Sequence, residues 1–402
     1  MNRITSRLAL VACLAGSWSI WAAAAPAAKG IRAGAFTLSP FAGIAGTYDS
    51  NVGRTSSDEE DDVFLGADLG LKLGYQTLEL AVDGIGFGQQ RYYADEDARD
   101  FGAGGEALRI KIGAPERIVV ELQQAWRRVE DQDDYAALTS IGGISANAFL
   151  DANVRSRRDL LDGGAGVSAK LTDKTDVRAG YLYDQTDYAS TNLLDLTSHN
   201  AQLEALYKFR DKTAGLATLL GGVQESDQVD GEATYVAARL GLQTRQTDRL
   251  LLKAGAGEQH YERPDGGGTE NRFHFDGQAI WTATDKTQVQ LEGRNGIQLS
   301  SVSRGNVVDF SVVRLGIAQR VNSSLTLTAS GTYRRDDYQD PVSDGDQLVD
   351  RLDNGLAFAF RADYLIPSKY LRLFAETAYE TVDSTVRDYD VARATVGVAF
   401  ER

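Results

Sequence analysis

Apolar and polar residues alternate along most of the chain, from Phe36 to Phe400. The segment 288–299 shows the pattern well, because its polar residues fall on one face and its apolar residues on the other, namely Val289, Leu291, Ile297 and Leu299. A period of two residues is typical of β-strands that have one apolar and one polar face. No stretch of similar length follows the 3.6-residue period of a helix, so the predicted fold class is all-β.

The connections between the predicted strands alternate in length. Short polar turns recur at Gln76 and near residues 113–117, 172–175, 210–213, 247–248, 284–287, 322–323 and 367–368. Longer polar connections lie between them, near residues 49–62, 91–98, 129–159, 187–197, 226–233, 262–270, 300–305, 339–350 and 382–387. These eight turns and nine loops make 17 connections and therefore predict 18 strands. Their alternation puts all turns at one end of the sheet and all loops at the other.

This arrangement predicts a transmembrane up-and-down antiparallel β-barrel of the bacterial outer membrane, with short periplasmic turns and longer external loops. A barrel has no open edge, so every backbone N–H and C=O group in the lipid can be paired. A soluble β-sandwich or solenoid would show the same alternation of side chains. It would give no reason for the strict alternation of short and long connections, and the barrel is therefore favoured.

The first 27 residues have the features of a secretory signal. Arg3 and Arg7 precede an apolar stretch, and Ala25-Pro26-Ala27 forms a small-residue cleavage site. The predicted organisation is a signal peptide at 1–27 followed by a single barrel domain at 28–402. The alternative is a lipidation site at Cys13, but the apolar stretch between Arg7 and Cys13 is too short for one.

Composition excludes several classes of protein. The chain has 402 residues and a single Cys, so it can form neither a disulfide framework nor a Cys-based zinc site. Its net charge of −15 excludes a basic nucleic-acid-binding surface. We expect no cofactor, no metal and no nucleic-acid partner. The mean hydropathy of −0.30 is the average of an apolar outer face, a polar inner face and charged loops.

The segment Tyr48-Asp49-Ser50-Asn51-Val52 ends the first predicted strand. Together with the strand and turn rhythm, it resembles the N-terminal pattern of the β-barrel porin type 2 family of Gram-negative outer-membrane proteins. The resemblance implies an outer-membrane barrel of a kind often associated with exopolysaccharide secretion, and it implies no catalytic residues. The implied partners are outer-membrane lipids and lipopolysaccharide, the barrel assembly machinery and components of a polysaccharide secretion system. Outer-membrane barrels usually end on an aromatic residue, whereas here Glu401 and Arg402 follow Phe400.

Charged residues that alternate with the lipid face are predicted to line the lumen. They carry both signs, which indicates an inner wall in contact with water. A barrel of 18 strands is wide enough to enclose an aqueous channel. Ion-pair ladders that stiffen the wall are an equally acceptable interpretation of the same residues. The candidates include Glu121, Arg127, Glu292, Arg294, Arg361 and Arg372.

The longest loop, between Val129 and Asp159, is the candidate constriction. It starts acidic, continues through a small apolar stretch and ends basic, and loops of this length are uncommon unless functional. If it dips into the lumen, the opposed charges create a transverse field; the alternative is an external cap. Its charged candidates are Asp131, Asp133, Asp134, Arg155, Arg157 and Arg158.

Two other features carry weaker signals. The acidic run 58–62 is interpreted as a solvated charge run, with cation bridging to lipopolysaccharide as the alternative. The chain has three His residues and none of the usual hydrolase motifs, so we predict no enzyme. The predicted function is an outer-membrane channel that passes an exopolysaccharide or another polar solute. The alternatives are a general diffusion porin and a structural or adhesive barrel without transport.

Overall fold

The computed structural model describes most of the chain after the predicted signal. The described residues are 30–57, 59–96, 99–114, 117–130, 156–190, 192–227, 231–264, 268–302, 306–344, 347–366, 370–386 and 388–402. The predicted signal at 1–27, including Cys13, lies outside them, and so do residues 131–155 of the longest loop.

Within this part of the chain, 18 long strands form one antiparallel sheet. They are β2 (Phe36–Asp49), β3 (Asp62–Gln76), β4 (Leu80–Tyr93), β5 (Phe101–Gly113), β6 (Ile118–Val129), β7 (Arg158–Lys170), β8 (Thr175–Tyr188), β9 (Leu196–Arg210), β10 (Thr213–Ser226), β11 (Ala233–Thr247), β12 (Leu250–Glu262), β13 (Thr269–Thr284), β14 (Thr287–Leu299), β15 (Val307–Arg320), β16 (Leu325–Tyr338), β19 (Leu352–Ile366), β20 (Leu371–Ser384) and β21 (Tyr389–Glu401). The short strands are β1 (Ile31–Ala33), β17 (Val342–Asp344) and β18 (Gln347–Val349).

Each long strand pairs with the next one along the chain, and β21 pairs with β2, which closes the sheet. The predicted all-β, 18-stranded antiparallel barrel is thereby confirmed. The short strand β1 pairs with the first residues of β2, and β17 and β18 form a separate hairpin in the loop after β16. Among the described residues, no helix has the length and apolar character needed to cross a membrane.

The turns are short because side chains complete them locally. At the turn between β7 and β8, the Thr172 hydroxyl accepts hydrogen bonds from the amides of Lys174 at 3.1 Å and Thr175 at 3.0 Å. The Thr284 hydroxyl accepts one from the Lys286 amide at 3.1 Å in the turn between β13 and β14. These turns lie at the periplasmic end of the barrel, and the longer loops lie at the opposite end.

The two faces of the wall differ in the way that the alternation predicts. Large apolar side chains on the outer face remain exposed, with Leu69 at 70% and Leu240 at 74%. Aromatic pairs stack near the periplasmic end, where the rings of Phe36 and Tyr75 are 4.6 Å apart. Aromatic residues at membrane interfaces place an amphipathic ring at the level of the lipid headgroups.

The wall departs from this regularity in the outer part of β14. The alternation assigns Ile297 and Leu299 to the lipid face, together with Val289 and Leu291. The structure instead buries them, at 6% and 3% exposed, in a cluster with Tyr261 of the inner wall. That assignment was wrong because this end of β14 leaves the wall and folds into the barrel.

Candidate functional site

The inner wall is lined by charged residues that the strand register sets side by side. Lys111 of β5 is the register partner of Glu121 of β6. Their charged groups lie 3.5 Å apart, and the Glu121 carboxylate also pairs with Arg109. The predicted lumen residue Glu121 therefore joins two cations of the neighbouring strand.

A second ionic contact connects β6 and β7. Arg127 pairs with the carboxylate of Asp162, and the Arg127 side chain is 6% exposed. Arg158, at the loop end of β7, is buried and is the register partner of Val129. These positions put Arg127 and Arg158 on the same face of the sheet as Glu121, because successive inner residues are two apart.

A third group lies on β19 and β20. Arg361 binds the carboxylates of Asp363 at 3.0 Å and Glu376 at 3.1 Å, and its guanidinium lies 4.2 Å from the centre of the Phe374 ring. Arg372 approaches Asp363 at 3.5 Å. Two cations and two carboxylates thus balance one another in this part of the wall.

Basic residues outnumber acidic ones on β14, β15 and β16. Arg294 and Arg334 are both register partners of Val312, so they flank the same position of β15 from its two sides. Arg314 lies two residues further along β15 and is the partner of Glu292. We call Arg294, Arg314 and Arg334 the arginine band.

The carboxylates near the arginine band are fewer than its cations. Glu292 accepts a hydrogen bond from the Gln278 amide at 2.8 Å, and Asp336 lies 2.6 Å from the Arg334 guanidinium. A third carboxylate, Asp276, is the register partner of Arg294 but is bound by Arg239 at 2.6 Å. With Arg239 and Asp276 included, four cations face three carboxylates, so the net charge here is positive. Sequence analysis missed Arg314, although its position between Val313 and Leu315 shows the same alternation that identified the others.

The loop that was predicted to form the constriction is described only at its two ends. Arg157 donates a hydrogen bond to the Asp100 carbonyl at 2.9 Å and lies 3.5 Å from the Glu130 carboxylate and 5.1 Å from the centre of the Phe101 ring. Asp131, Asp133, Asp134 and Arg155 lie outside the described residues. The field across this loop therefore stays a hypothesis.

The lumen is instead entered by the loop ends of β14 and β15. We call residues 295–302 and 306–310 the infolded arms. One face of the arms carries Ile297, Leu299 and Val307, which pack with Ala233 and Tyr261 of the inner wall. Burial of these three apolar side chains away from the water of the lumen stabilises the infolded position.

The other face of the arms is also covered. Val308 packs with Tyr338 of β16 and with Val342 of the β17–β18 hairpin. Ser300 and Ser301 are fully buried, and the Ser301 carbonyl accepts a hydrogen bond from the Leu194 amide at 2.8 Å. Contacts from several loops thus surround the arms at the external end of the lumen.

A charged contact crosses the arms on the external side. Arg263, in the loop after β12, lies 2.5 Å from the Asp340 carboxylate and also binds Glu270. Burial opposes the charged form of Arg263, but the hydrogen bonds and charges of Glu270 and Asp340 outweigh it and raise its pKa. The guanidinium is therefore charged at neutral pH.

The described residues include no group of His, Cys, Asp and Glu side chains that could hold a metal ion. The groups described above on the inner wall are fixed charges, amides and aromatic rings. Such groups can select and orient a passing solute.

Comparison with known proteins gives a family match and a set of similar folds. The model of the family described as "Putative beta-barrel porin 2" matches residues 25–219 and 223–402. OccK1 (OpdK) of Pseudomonas aeruginosa is 14% identical, with 91% of this chain and 99% of that chain covered and a TM-score of 0.49. A BenF-like porin of Pseudomonas fluorescens Pf-5 is 12% identical, with 91% and 99% covered and a TM-score of 0.48. No curated protein matches the sequence.

Proposed function

The chain belongs to the beta-barrel porin 2 family, and from this premise we propose that its outer-membrane channel passes a polar, anionic solute. The specific cargo that we propose is an acidic exopolysaccharide. The observation that carries the proposal is the arginine band on the inner wall. Polysaccharide was expected from the family resemblance, and the anionic character is suggested by the net charge of the band.

The physical argument starts from the contrast between the inner wall and the whole chain. The chain has a net charge of −15, yet Arg294, Arg314 and Arg334 lie together on the inner faces of three adjacent strands. Low-dielectric walls focus the field of such a group along the lumen. An anion is therefore attracted into the channel, while a cation meets a barrier at the band.

The inner wall also suits a polyhydroxylated solute. Aromatic rings face the lumen beside cations, as with Arg294 over Phe310 at 5.6 Å and Lys72 over Phe41 at 5.5 Å. Gln290 and Gln278 add amide groups next to Glu292. Rings, amides and charges on one surface offer a sugar polymer both apolar contacts and exchangeable hydrogen bonds.

The experiment is ion selectivity in planar lipid bilayers. The purified protein should show a conductance whose reversal potential in a KCl gradient indicates preference for chloride. Replacing Arg294, Arg314 and Arg334 by Gln should abolish or reverse that preference. The matched control is Arg335→Gln. Arg335 lies next to Arg334 on β16, but it is half-exposed on the outer face, where it pairs with Asp337 at 3.5 Å.

The cargo is tested by block of the same current. Polygalacturonate, an acidic polysaccharide, should interrupt the current of the unmodified channel at lower concentration than the neutral polymer dextran does. Equal block by the two polymers would favour a general diffusion porin over the proposed cargo. Absence of any conductance would contradict the channel itself and leave a structural barrel.

A further inference from the structure

The ladder between β13 and β14 stops half-way up the wall. The two strands are paired from Thr284 and Thr287 to Asp276 and Arg294. Beyond that rung β13 keeps its pairing with β12, and β14 keeps its pairing with β15, but no rung joins β13 to β14. The wall therefore has a split that begins at Asp276.

A single side chain replaces the first missing rungs of the split. The Asn295 side-chain oxygen accepts a hydrogen bond from the Phe275 amide at 2.6 Å, and its side-chain nitrogen donates one to the Phe273 carbonyl at 2.7 Å. In a membrane-spanning wall an unsatisfied backbone group costs several kcal/mol. Asn295 therefore makes a break in the ladder tolerable at this depth.

The backbone of the infolded arm is satisfied in the same way, by side chains of the inner wall. The Gln259 side chain accepts a hydrogen bond from the Ile297 amide at 3.3 Å and donates one to the Ile297 carbonyl at 3.4 Å. The Gln224 side chain accepts one from the Leu299 amide at 3.0 Å. If the arm returned to β13, each of these bonds to a side chain would be replaced by a hydrogen bond to the backbone of β13.

The register shows where the arm would return. The rungs Asp276 with Arg294 and Gly277 with Gly293, when continued upward, would set Phe273 opposite Ile297. Ile297 would then face lipid, as the alternation of the sequence indicates. The sequence of the arm is thus compatible with two positions, which is the property of a bistable element.

Gly296 lies next to Asn295 at the bend of β14, where little space is left for a side chain. A side chain at Gly296 would put its Cβ atom 3.2 Å from the Phe310 ring and 3.4 Å from His274 Nδ1. Glycine removes this steric contact and allows close approach of the two arms to β13.

Charged contacts across the split hold the infolded position. Arg272 of β13 lies 3.2 Å from the Asp309 carboxylate and donates a hydrogen bond to the Gln339 side chain at 2.7 Å. Arg263 reaches Asp340 further out. These contacts join β13 to the far side of the arms, so they must break when the arms move back into the wall.

We propose that the infolded arms are the gate of the channel, closed when they pack inside the lumen and open when the β14 arm pairs with β13, with the β15 arm, which stays paired with β14, moving with it. This inference rests on the proposed function for its effect on transport, but the movement itself does not depend on it. Its physical basis is that the bonds from the Ile297 and Leu299 backbone to Gln259 and Gln224 in the closed position each have a matching backbone rung in the open one. The gate obstructs the lumen beside the arginine band, where it controls access from the external side.

A disulfide that only the open position allows tests the movement. We replace Phe273 and Ile297 by Cys in a Cys13→Ser background, so that the pair faces each other only when the ladder is continuous. Mild oxidation in isolated outer membranes should cross-link the pair. The control pair Ala279→Cys with Leu291→Cys lies on an existing rung and should cross-link in either position.

The outcomes separate the gate from the channel. Cross-linking of the test pair together with a several-fold rise in the open probability of the channel, reversed by reduction, is the expected result. Failure of the test pair to cross-link while the control pair does would overturn the proposal, and so would cross-linking that leaves the open probability of a conducting channel unchanged. If neither the unmodified protein nor the cross-linked variant conducts, the proposed function fails, while cross-linking would still show that the arms move.

A second variant weakens the closed position without a cross-link. Gln259→Leu removes both side-chain bonds to Ile297 and should lengthen the open dwell times in single-channel recordings. Its matched control is Gln243→Leu, on the inner face of β11 at the register position of Lys253. Equal dwell times for the two variants would contradict the role of Gln259 in holding the gate.

Discussion

At the scale of single residues, the segment that resembles the porin family has a clear structural role at the seam of the barrel. Asn51 is fully buried, and its side chain donates hydrogen bonds to the Thr55 carbonyl at 2.8 Å and to the Asp390 carbonyl at 3.2 Å. Asp49 binds Arg393 at 3.0 Å. Both residues therefore connect the end of β2 to β21, where the sheet closes.

Replacing Asn51 tests this role. Asn51→Ala removes both donated bonds and the bond accepted from the Thr55 amide, so we expect a loss of about 1–3 kcal/mol in the free energy of unfolding. Asn51→Asp keeps the acceptor but sets a buried carboxylate against the two carbonyl oxygens that Asn51 binds, so its effect should be at least as large. Urea-induced unfolding in detergent micelles measures both, and equal stability of all three proteins would contradict the assignment.

Asp195, in the loop between β8 and β9, makes this loop sensitive to pH. Burial raises the pKa of its carboxyl group, and the charges of Asp227 and Asp187 raise it further, against the smaller opposing effect of the hydrogen bond from the Tyr188 amide. In the interval from the ordinary value of about 4 up to this raised pKa, the folded loop binds more protons than the unfolded one.

The loop should therefore be more stable below that interval and lose stability as the pH rises through the raised pKa. Amide hydrogen exchange of residues 192–196 between pH 7 and pH 4, corrected for intrinsic exchange, should show increasing protection at the lower pH. Asp195→Asn keeps an oxygen for the Tyr188 amide and should remove most of this dependence. A wild-type profile that does not change with pH would contradict the prediction.

At the scale of strands, sequence alternation predicts the wall well because it follows from the geometry of a strand. Glu121, Arg361 and Arg372 occupy one face in the structure for the same reason that they alternate with apolar neighbours. The alternation does not distinguish a side chain that faces lipid from one that packs on the inner wall, since both environments are apolar. Ile297 and Leu299 were misplaced for this reason.

The infolded arms also escaped prediction because their partners are distant in the sequence. Gln224 and Gln259 belong to other strands, and no local pattern marks them as hydrogen-bond partners of β14. The loop near residues 300–305 has nothing in its sequence that predicts its entry into the lumen, whereas the loop at 129–159 attracts attention by its length alone.

Close contact between β11 and β12 predicts a steric limit at Gly257. A Cβ atom there would lie 1.8 Å from the Ala238 carbonyl oxygen, which belongs to backbone and cannot move aside easily. Gly257→Ala should destabilise the barrel by about 1–3 kcal/mol, as overpacking does. Gly88→Ala has open space and should leave the urea midpoint unchanged, and equal midpoints for the two variants would contradict the argument.

At the scale of the whole molecule, the sheet closes on itself between β2 and β21. The rungs between β2 and β21, from Phe41 with Glu401 to Asp49 with Arg393, join the first and last long strands of the wall. The order of strands in the sequence is also their order in the wall. This is why the count of turns and loops alone was enough to predict the number of strands.

Closure predicts heat-modifiable migration in detergent gels. The intact barrel should migrate faster without boiling than after boiling, because the closed sheet resists unfolding in dodecyl sulfate. A chain that ends at Ser384 lacks β21 and should migrate at one position only. Identical migration of the full chain before and after boiling would contradict a closed barrel.

The aromatic residues of the outer wall bear on the choice of lipid. Phe36 and Tyr48 lie twelve positions apart on the outer face of β2, which corresponds to about 40 Å along the strand and about 30 Å along the membrane normal at the usual tilt. This height is fixed by the rigid sheet and cannot adapt as a tilting helix can. In bilayers with longer acyl chains the lipid itself must thin around the protein, so hydrophobic mismatch becomes a means of straining the barrel from outside.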